Sequence, residues 1–217
     1  MKKRKLILVI LMIVIEANLL TACRFFIDPN EQEEVAKPVI YLYPKEEMDV
    51  SVSLDYIGKF TCLYPEFSQD NTWKVRAYPD GSLKDASGET YNYLFWEGES
   101  DIEYDFSKGY CIKGKDTKDF LEKELKKLGL NRKEANEFIV YWLSKMKDNK
   151  YNVISFQKEA YTDNAKLKTT PETDSQIRVF MAWYDSDTFV EIKKPKEENC
   201  PQRKGFTLVE WGGCKVR

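Results

Sequence analysis

Apolar and polar positions alternate with a period of two through much of this chain, a pattern that predicts strands. Val50, Val52 and Leu54 alternate with Ser51 and Ser53 across Asp49 to Asp55, which reads as a half-buried strand, and Val39 to Tyr43 is a β-rich run before it. Phe60 to Tyr64, Trp73 to Tyr78 and Tyr91 to Glu97 follow. In the last of these, Tyr91, Tyr93 and Phe95 oppose Leu94 and Trp96, so both faces are apolar and a central strand is expected. Turn chemistry at Pro79-Asp80-Gly81 and Ser87-Gly88 separates the runs. Three pairs, Tyr43-Pro44, Tyr64-Pro65 and Tyr78-Pro79, close strands because proline has no amide to give to a ladder.

Alternation returns from Ile102 to Ile112, and then the period becomes helical. Asp116 stands at an N-cap with Asp119 three residues on, Leu121, Leu125 and Leu128 form an apolar stripe, and Gly129 sits where a left-handed C-cap belongs. Asn131 and Glu134 look like a second cap and its box partner, after which Ala135, Phe138, Ile139, Trp142, Leu143 and Met146 recur at helical spacing. Strand pattern resumes in Tyr151 to Phe156, Gln176 to Tyr184, Phe189 to Ile192 and Phe206 to Trp211. The expected class is α+β, with a mostly antiparallel, sandwich-like N-terminal half, an inserted helical hairpin and further strands. Residues 38–217 form one domain, β-rich over 38–113, helical over 114–148 and β-rich again over 149–217.

The N-terminus follows a different logic. Lys2, Lys3, Arg4 and Lys5 precede an apolar run from Leu6 to Ile15, which Glu16 ends well short of the roughly 20 residues that cross a bilayer. Leu20-Thr21-Ala22-Cys23 then resembles the lipobox of bacterial lipoproteins. The resemblance implies that residues 1–22 are a signal peptide and that Cys23 becomes a lipidated N-terminus. Residues 23–37 are expected to be the lipidated cysteine and a short tether, acidic at Glu31, Glu33 and Glu34. A flexible segment of that size spans about 20 Å, so the domain is expected outside the cytoplasm, close to the membrane that holds its lipid.

Four further stretches carry a second resemblance. Lys37-Pro-Val-Ile-Tyr-Leu-Tyr-Pro44, Tyr91-Asn-Tyr-Leu-Phe-Trp-Glu-Gly98, Glu137-Phe-Ile-Val-Tyr-Trp-Leu143 and Gly205-Phe-Thr-Leu-Val-Glu-Trp-Gly-Gly213 resemble a family of uncharacterised bacterial proteins, many of them exported. The resemblance runs from Lys37 to about Gly213. It implies a single integrated unit and brings no reaction, ligand or catalytic residue.

Composition narrows the chemistry mainly by exclusion. The 217 residues contain no histidine, which removes Ser-His-Asp and Cys-His machinery and imidazole zinc sites. Residues 1–22 hold four of the 34 basic and one of the 36 acidic residues, so the remainder carries a net charge of −5. Such a balance argues against nucleic acid as a partner and against attachment through a basic face. No cofactor is expected.

Carboxylates are the acid/base candidates that remain. Glu97, Glu99, Asp101, Glu103 and Asp105 share one face of an extended chain, with Ile102, Tyr104 and Phe106 on the other. A solvated strand face is the plain reading. A hard-cation site at Glu97, Glu99 and Asp101 is one alternative, and a paired-carboxylate glycosidase using Glu97 beside Trp96 and Glu210 beside Trp211 is another. Cys62, Cys111, Cys200 and Cys214 are an even set, with Cys200–Cys214 and Cys62–Cys111 as the candidate disulfides. The leading expectation is a membrane-anchored binding or scaffolding module that meets cell-wall glycan or an envelope protein through aromatic side chains, with Trp73 and Trp96 as ligand contacts. A carboxylate-dependent envelope glycan hydrolase is the alternative.

Overall fold

A computed structural model describes residues 33–197 and 199–216; the expected signal peptide and Cys23 lie outside them. In chain order the strands are β1 (Glu33–Tyr43), β2 (Met48–Tyr56), β3 (Lys59–Tyr64), β4 (Thr72–Ala77), β5 (Leu83–Lys84), β6 (Thr90–Tyr91), β7 (Leu94–Ser100) and β8 (Tyr110–Lys113). Helices α1 (Thr117–Lys127) and α2 (Arg132–Met146) follow, then β9 (Tyr151–Gln157), a single turn α3 (Glu159–Thr162), β10 (Ala165–Thr170), β11 (Ser175–Ser186) and β12 (Thr207–Lys215). No helix among the described residues is long and apolar enough to cross a membrane.

The class is mixed α and β, with strands in two mostly antiparallel sheets. Seven strands run in the order β3-β7-β1-β12-β11-β9-β8, and five in the order β10-β2-β4-β5-β6. β11 and β12 pair in parallel. Because strand side chains alternate between faces, β1 sends Ile40 and Leu42 to one side and Val39 and Tyr41 to the other. The first side meets Val52, Leu54, Trp73 and Val75 of the smaller sheet, and the second meets Leu121, Leu125, Phe138 and Trp142 of α1 and α2. The large sheet is thus covered by a sheet on one face and by helices on part of the other, which explains its runs with two apolar faces.

The helical hairpin links β8 to its antiparallel neighbour β9, so it is an insertion at one sheet edge. Its turn is set by local chemistry. Gly129 adopts φ +93°, the Gly129 amide donates to the Lys126 carbonyl at 3.2 Å, and the Leu130 amide donates to the Leu125 carbonyl at 3.1 Å, the two bonds of a Schellman ending. The Asn131 side chain then accepts from the Glu134 amide at 3.0 Å, while Glu134 accepts from the Asn131 amide at 2.8 Å, completing the capping box.

Several expectations are corrected. The tether expected through residue 37 is already strand from Glu33, paired with Ser100 and Glu99 of β7. Phe189 to Ile192 forms no strand; Phe189 is 62% exposed. Residues 101–106 lie outside any ladder. β10, absent from the expected strands, pairs with β2 along its whole length.

Both proposed disulfides are absent, and all four cysteines are free thiols. Cys62 lies on β3 and Cys111 on β8, the two opposite edges of the seven-stranded sheet. Six strand spacings of about 4.8 Å separate them, far beyond the roughly 7 Å that a disulfide can span between Cα atoms. Cys214 faces the core between the sheets, whereas the exposed Cys200 places its Sγ 3.6 Å from the Lys126 carbonyl at the end of α1, on the helical side.

Candidate functional site

The least ordinary piece of backbone is at Lys37. Four steps of β1, from Val35 to Val39, oppose three steps of β7, from Gly98 to Phe95, so β1 carries one extra residue and bulges there. The register against β12 slips at the same place. Lys37 takes φ +59°, a left-handed conformation that costs a non-glycine residue about 1–2 kcal/mol. Two contacts hold it. Its amide donates to Glu97 Oε1 at 3.2 Å, and the buried Pro38 packs on Gly212, where an added Cβ would lie 3.0 Å from the Pro38 Cα.

The bulge aims the Lys37 side chain into a cluster of rings. Its Nζ lies 5.9 Å from the ring centre of Tyr93, 5.6 Å from that of Phe95 and 5.6 Å from that of Tyr141. Cation–π attraction at these distances is worth on the order of 0.5–1 kcal/mol per exposed contact. Lys145 places a second ammonium 4.9 Å from the Tyr141 ring centre. Among the described residues neither ammonium has a carboxylate within ion-pairing distance.

A polar spine backs this cluster. The Tyr41 hydroxyl donates to Glu137 at 2.5 Å and accepts from Trp211 Nε1 at 3.3 Å. Tyr41 meets Tyr93 edge-on at 5.5 Å and stacks on Tyr43 at 6.1 Å. The Arg203 guanidinium lies 5.6 Å from the Tyr43 ring centre and forks onto both oxygens of the buried Glu134. Burial, and then Glu137, push the Tyr41 and Tyr93 hydroxyls above the ordinary tyrosine range; burial and then Glu134 do the same at Tyr43.

These residues line a step in the molecule. The buried core beneath the helices draws on β1, β12, β11 and β9, while β7 contributes only half-buried Phe95 and β3 nothing. Among the described residues the sheet therefore extends past α2 as a shelf carrying the half-buried Lys37, Tyr93, Phe95 and Glu97. Beyond these, Cys62 is exposed and Tyr64 is 60% exposed. Glu137, Tyr141 and Lys145 of α2 form the wall. Strands β1 and β7 are interior, so most of the floor's backbone groups are spent in ladders and its free chemistry is that of side chains. All four stretches singled out in the sequence, at 37–44, 91–98, 137–143 and 205–213, contribute here, the last through Trp211.

The sequence candidates fare unevenly. Trp73 is 1% exposed, meets the tilted Phe67 ring at 4.4 Å and gives its indole N–H to the Pro65 carbonyl at 2.7 Å, so it is core and not a ligand contact. Trp96 is fully buried between the sheets and donates to Glu210 Oε1 at 3.3 Å. Glu210 is itself buried and accepts from Arg178 Nε at 2.7 Å. Glu97, next along β7 from Trp96, points to the helical face. Glu97 and Glu210 thus stand on opposite faces of one sheet and cannot act as a glycosidase pair. Glu97 and Glu99 are half-buried in β7, whereas Asp101, Glu103 and Asp105 are exposed but outside any strand, so the five do not form one solvated strand face. Among the described residues no three of His, Cys, Asp or Glu gather as metal ligands, Glu97, Glu99 and Asp101 included. Sequence reasoning missed Lys37, Tyr93, Phe95, Glu137 and Tyr141; the one signal available was that all five fall within the four resembling stretches.

A Butyrivibrio fibrisolvens protein described as "Uncharacterized protein in bglA 3'region" is 45% identical to this chain over 97 residues, which are 44% of this chain and 98% of that protein. No family model matches the chain, and no solved structure matches it.

Proposed function

We propose that this chain, which belongs to the same family as the uncharacterised Butyrivibrio fibrisolvens protein, is an exported lipoprotein whose groove between α2 and the β1–β7 shelf binds a component of the cell envelope. Leu20-Thr21-Ala22-Cys23 supports the lipoprotein part, with lipid on Cys23 supplying the attachment. The sandwich of two sheets with its inserted hairpin serves as a rigid mount. One observation carries the binding part: a strained, bulged Lys37 is presented over Tyr93, Phe95 and Tyr141. Strain of this kind persists where the surroundings over-determine it, and bulges re-aim side chains beside functional sites. Half-buried rings, carboxylates and tyrosine hydroxyls suit the faces and hydroxyls of wall sugars.

The test mixes the full-length chain, purified in detergent, with isolated wall sacculi. Depletion of protein without release of reducing ends is the expected result. Failure to deplete removes wall glycan as the ligand, and release of reducing ends would replace binding by hydrolysis.

A further inference from the structure

We infer that the groove's ligand is an acidic saccharide, a sugar polymer bearing carboxylates that Lys37 and Lys145 receive beside Tyr141. The inference rests on the binding reading above and adds the ligand's charge to it.

Three observations lead there. First, two ammonium groups converge on one ring, Lys37 at 5.6 Å and Lys145 at 4.9 Å from the Tyr141 centre, although the sequence is acidic overall. Second, both are without a carboxylate partner among the described residues, while Arg76, Arg178, Arg203 and Lys215 are each paired. The nearby carboxylates are turned to other work: Glu137 accepts from Tyr41, and Glu97 accepts from the Lys37 amide instead of pairing with the ammonium. Third, the chain accepts a left-handed lysine before proline to keep this cation over the rings. A lysine needed only to cover apolar surface would reach it from ordinary strand geometry.

The shape of the site favours a sugar over an extended peptide. A peptide gains affinity by adding to a strand edge, and the floor strands β1 and β7 are both interior. A pyranose needs only a ring face to stack on and side chains to meet its hydroxyls, which the half-buried Tyr93 and Phe95 and the Lys37 and Lys145 ammonium groups suit. A carboxylate on that ring is then within reach of the half-buried Lys37 ammonium, which has no ion-pair partner among the described residues. Such a pair weakens as salt rises, because screening acts over about 10 Å at 0.1 M.

The experiment compares sacculi with their carboxylates intact and sacculi whose carboxylates have been amidated with carbodiimide and ammonia. Wild-type full-length chain, Lys37→Met and Lys37→Arg are each titrated against both at low and moderate salt, with thermal unfolding recorded for every variant. Amidation is expected to weaken wild-type binding at least tenfold, Lys37→Met to weaken binding to intact wall equally, and Lys37→Arg to restore most of it. Lys37→Met is expected to bind amidated wall as wild type does, which a merely structural role for Lys37 would not give. Equal binding of wild type to intact and amidated wall overturns the inference while leaving the groove reading standing. Absence of binding to either overturns both.

Discussion

Arg178 donates its Nε to Glu210 at 2.7 Å across the parallel β11–β12 pair, with the two side chains only 9% and 1% exposed. The Tyr161 ring centre lies 5.0 Å from the guanidinium, and Trp96 donates to the other oxygen of Glu210. This pair lies between the sheets, away from the groove. Glu210→Ala or Arg178→Ala leaves one buried charge uncompensated and is expected to cost about 3–5 kcal/mol in denaturant unfolding. Replacing both together by apolar residues of similar volume is expected to recover most of that loss. A single substitution costing under about 1 kcal/mol would contradict the assignment.

Tyr41→Phe removes the donor to Glu137 and the acceptor for Trp211 Nε1 while keeping the ring. The indole N–H is then left unpaired in a buried site, which is expected to cost about 1–3 kcal/mol. Equilibrium unfolding measures the loss, and an unchanged midpoint would show that the hydroxyl is dispensable.

Alkaline pH should unfold the protein through its tyrosines. Burial holds Tyr41, Tyr43 and Tyr161 above the ordinary range, and in the unfolded chain they ionise near pH 10. Above that pH the unfolded state binds fewer protons than the folded one, so stability that is full below pH 10 falls as pH rises. Absorbance at 295 nm is expected to show part of the 13 tyrosines titrating normally and the buried set ionising only together with loss of the circular dichroism signal. Titration of all 13 near pH 10 in a folded protein would contradict this.

The thiols offer a chemical check on the fold. Cys62 and Cys200 are exposed and should react with a thiol reagent within the native state, whereas Cys214 is buried and should react only on unfolding. Beyond Cys23, four reactive thiols are expected under denaturing, non-reducing conditions; two or none would restore a disulfide.

Much of the fold was legible because it rests on local chemistry. Asn131, Glu134 and Gly129 announce the helical hairpin through capping hydrogen bonds that close within five residues. The alternation of Val50, Val52 and Leu54 likewise specifies which face of β2 is buried. β10 was missed although Ala165, Leu167 and Thr169 are buried and alternate with exposed Lys166, Lys168 and Thr170, since two lysines in so short a run mask its period.

The site was less legible, for a physical reason. Its centre is a bulge at Lys37, and φ +59° before a proline contradicts the local preference for extended backbone. Contacts far along the chain, the Lys37 amide with Glu97 and Pro38 with Gly212, sustain it. Tryptophans drew attention as ligand contacts, yet Trp73 and Trp96 are the largest apolar bodies available and fill the core between the sheets.

The most direct measurement is depletion by isolated wall of Tyr141→Ala beside Lys166→Ala, which changes an exposed residue of β10 in the other sheet. Tyr141→Ala removes the wall of the groove and one ring from Lys37, and is expected to weaken binding at least tenfold, about 1.4 kcal/mol, with Lys166→Ala unchanged. Equal binding by both variants and wild type would contradict the placement of the site.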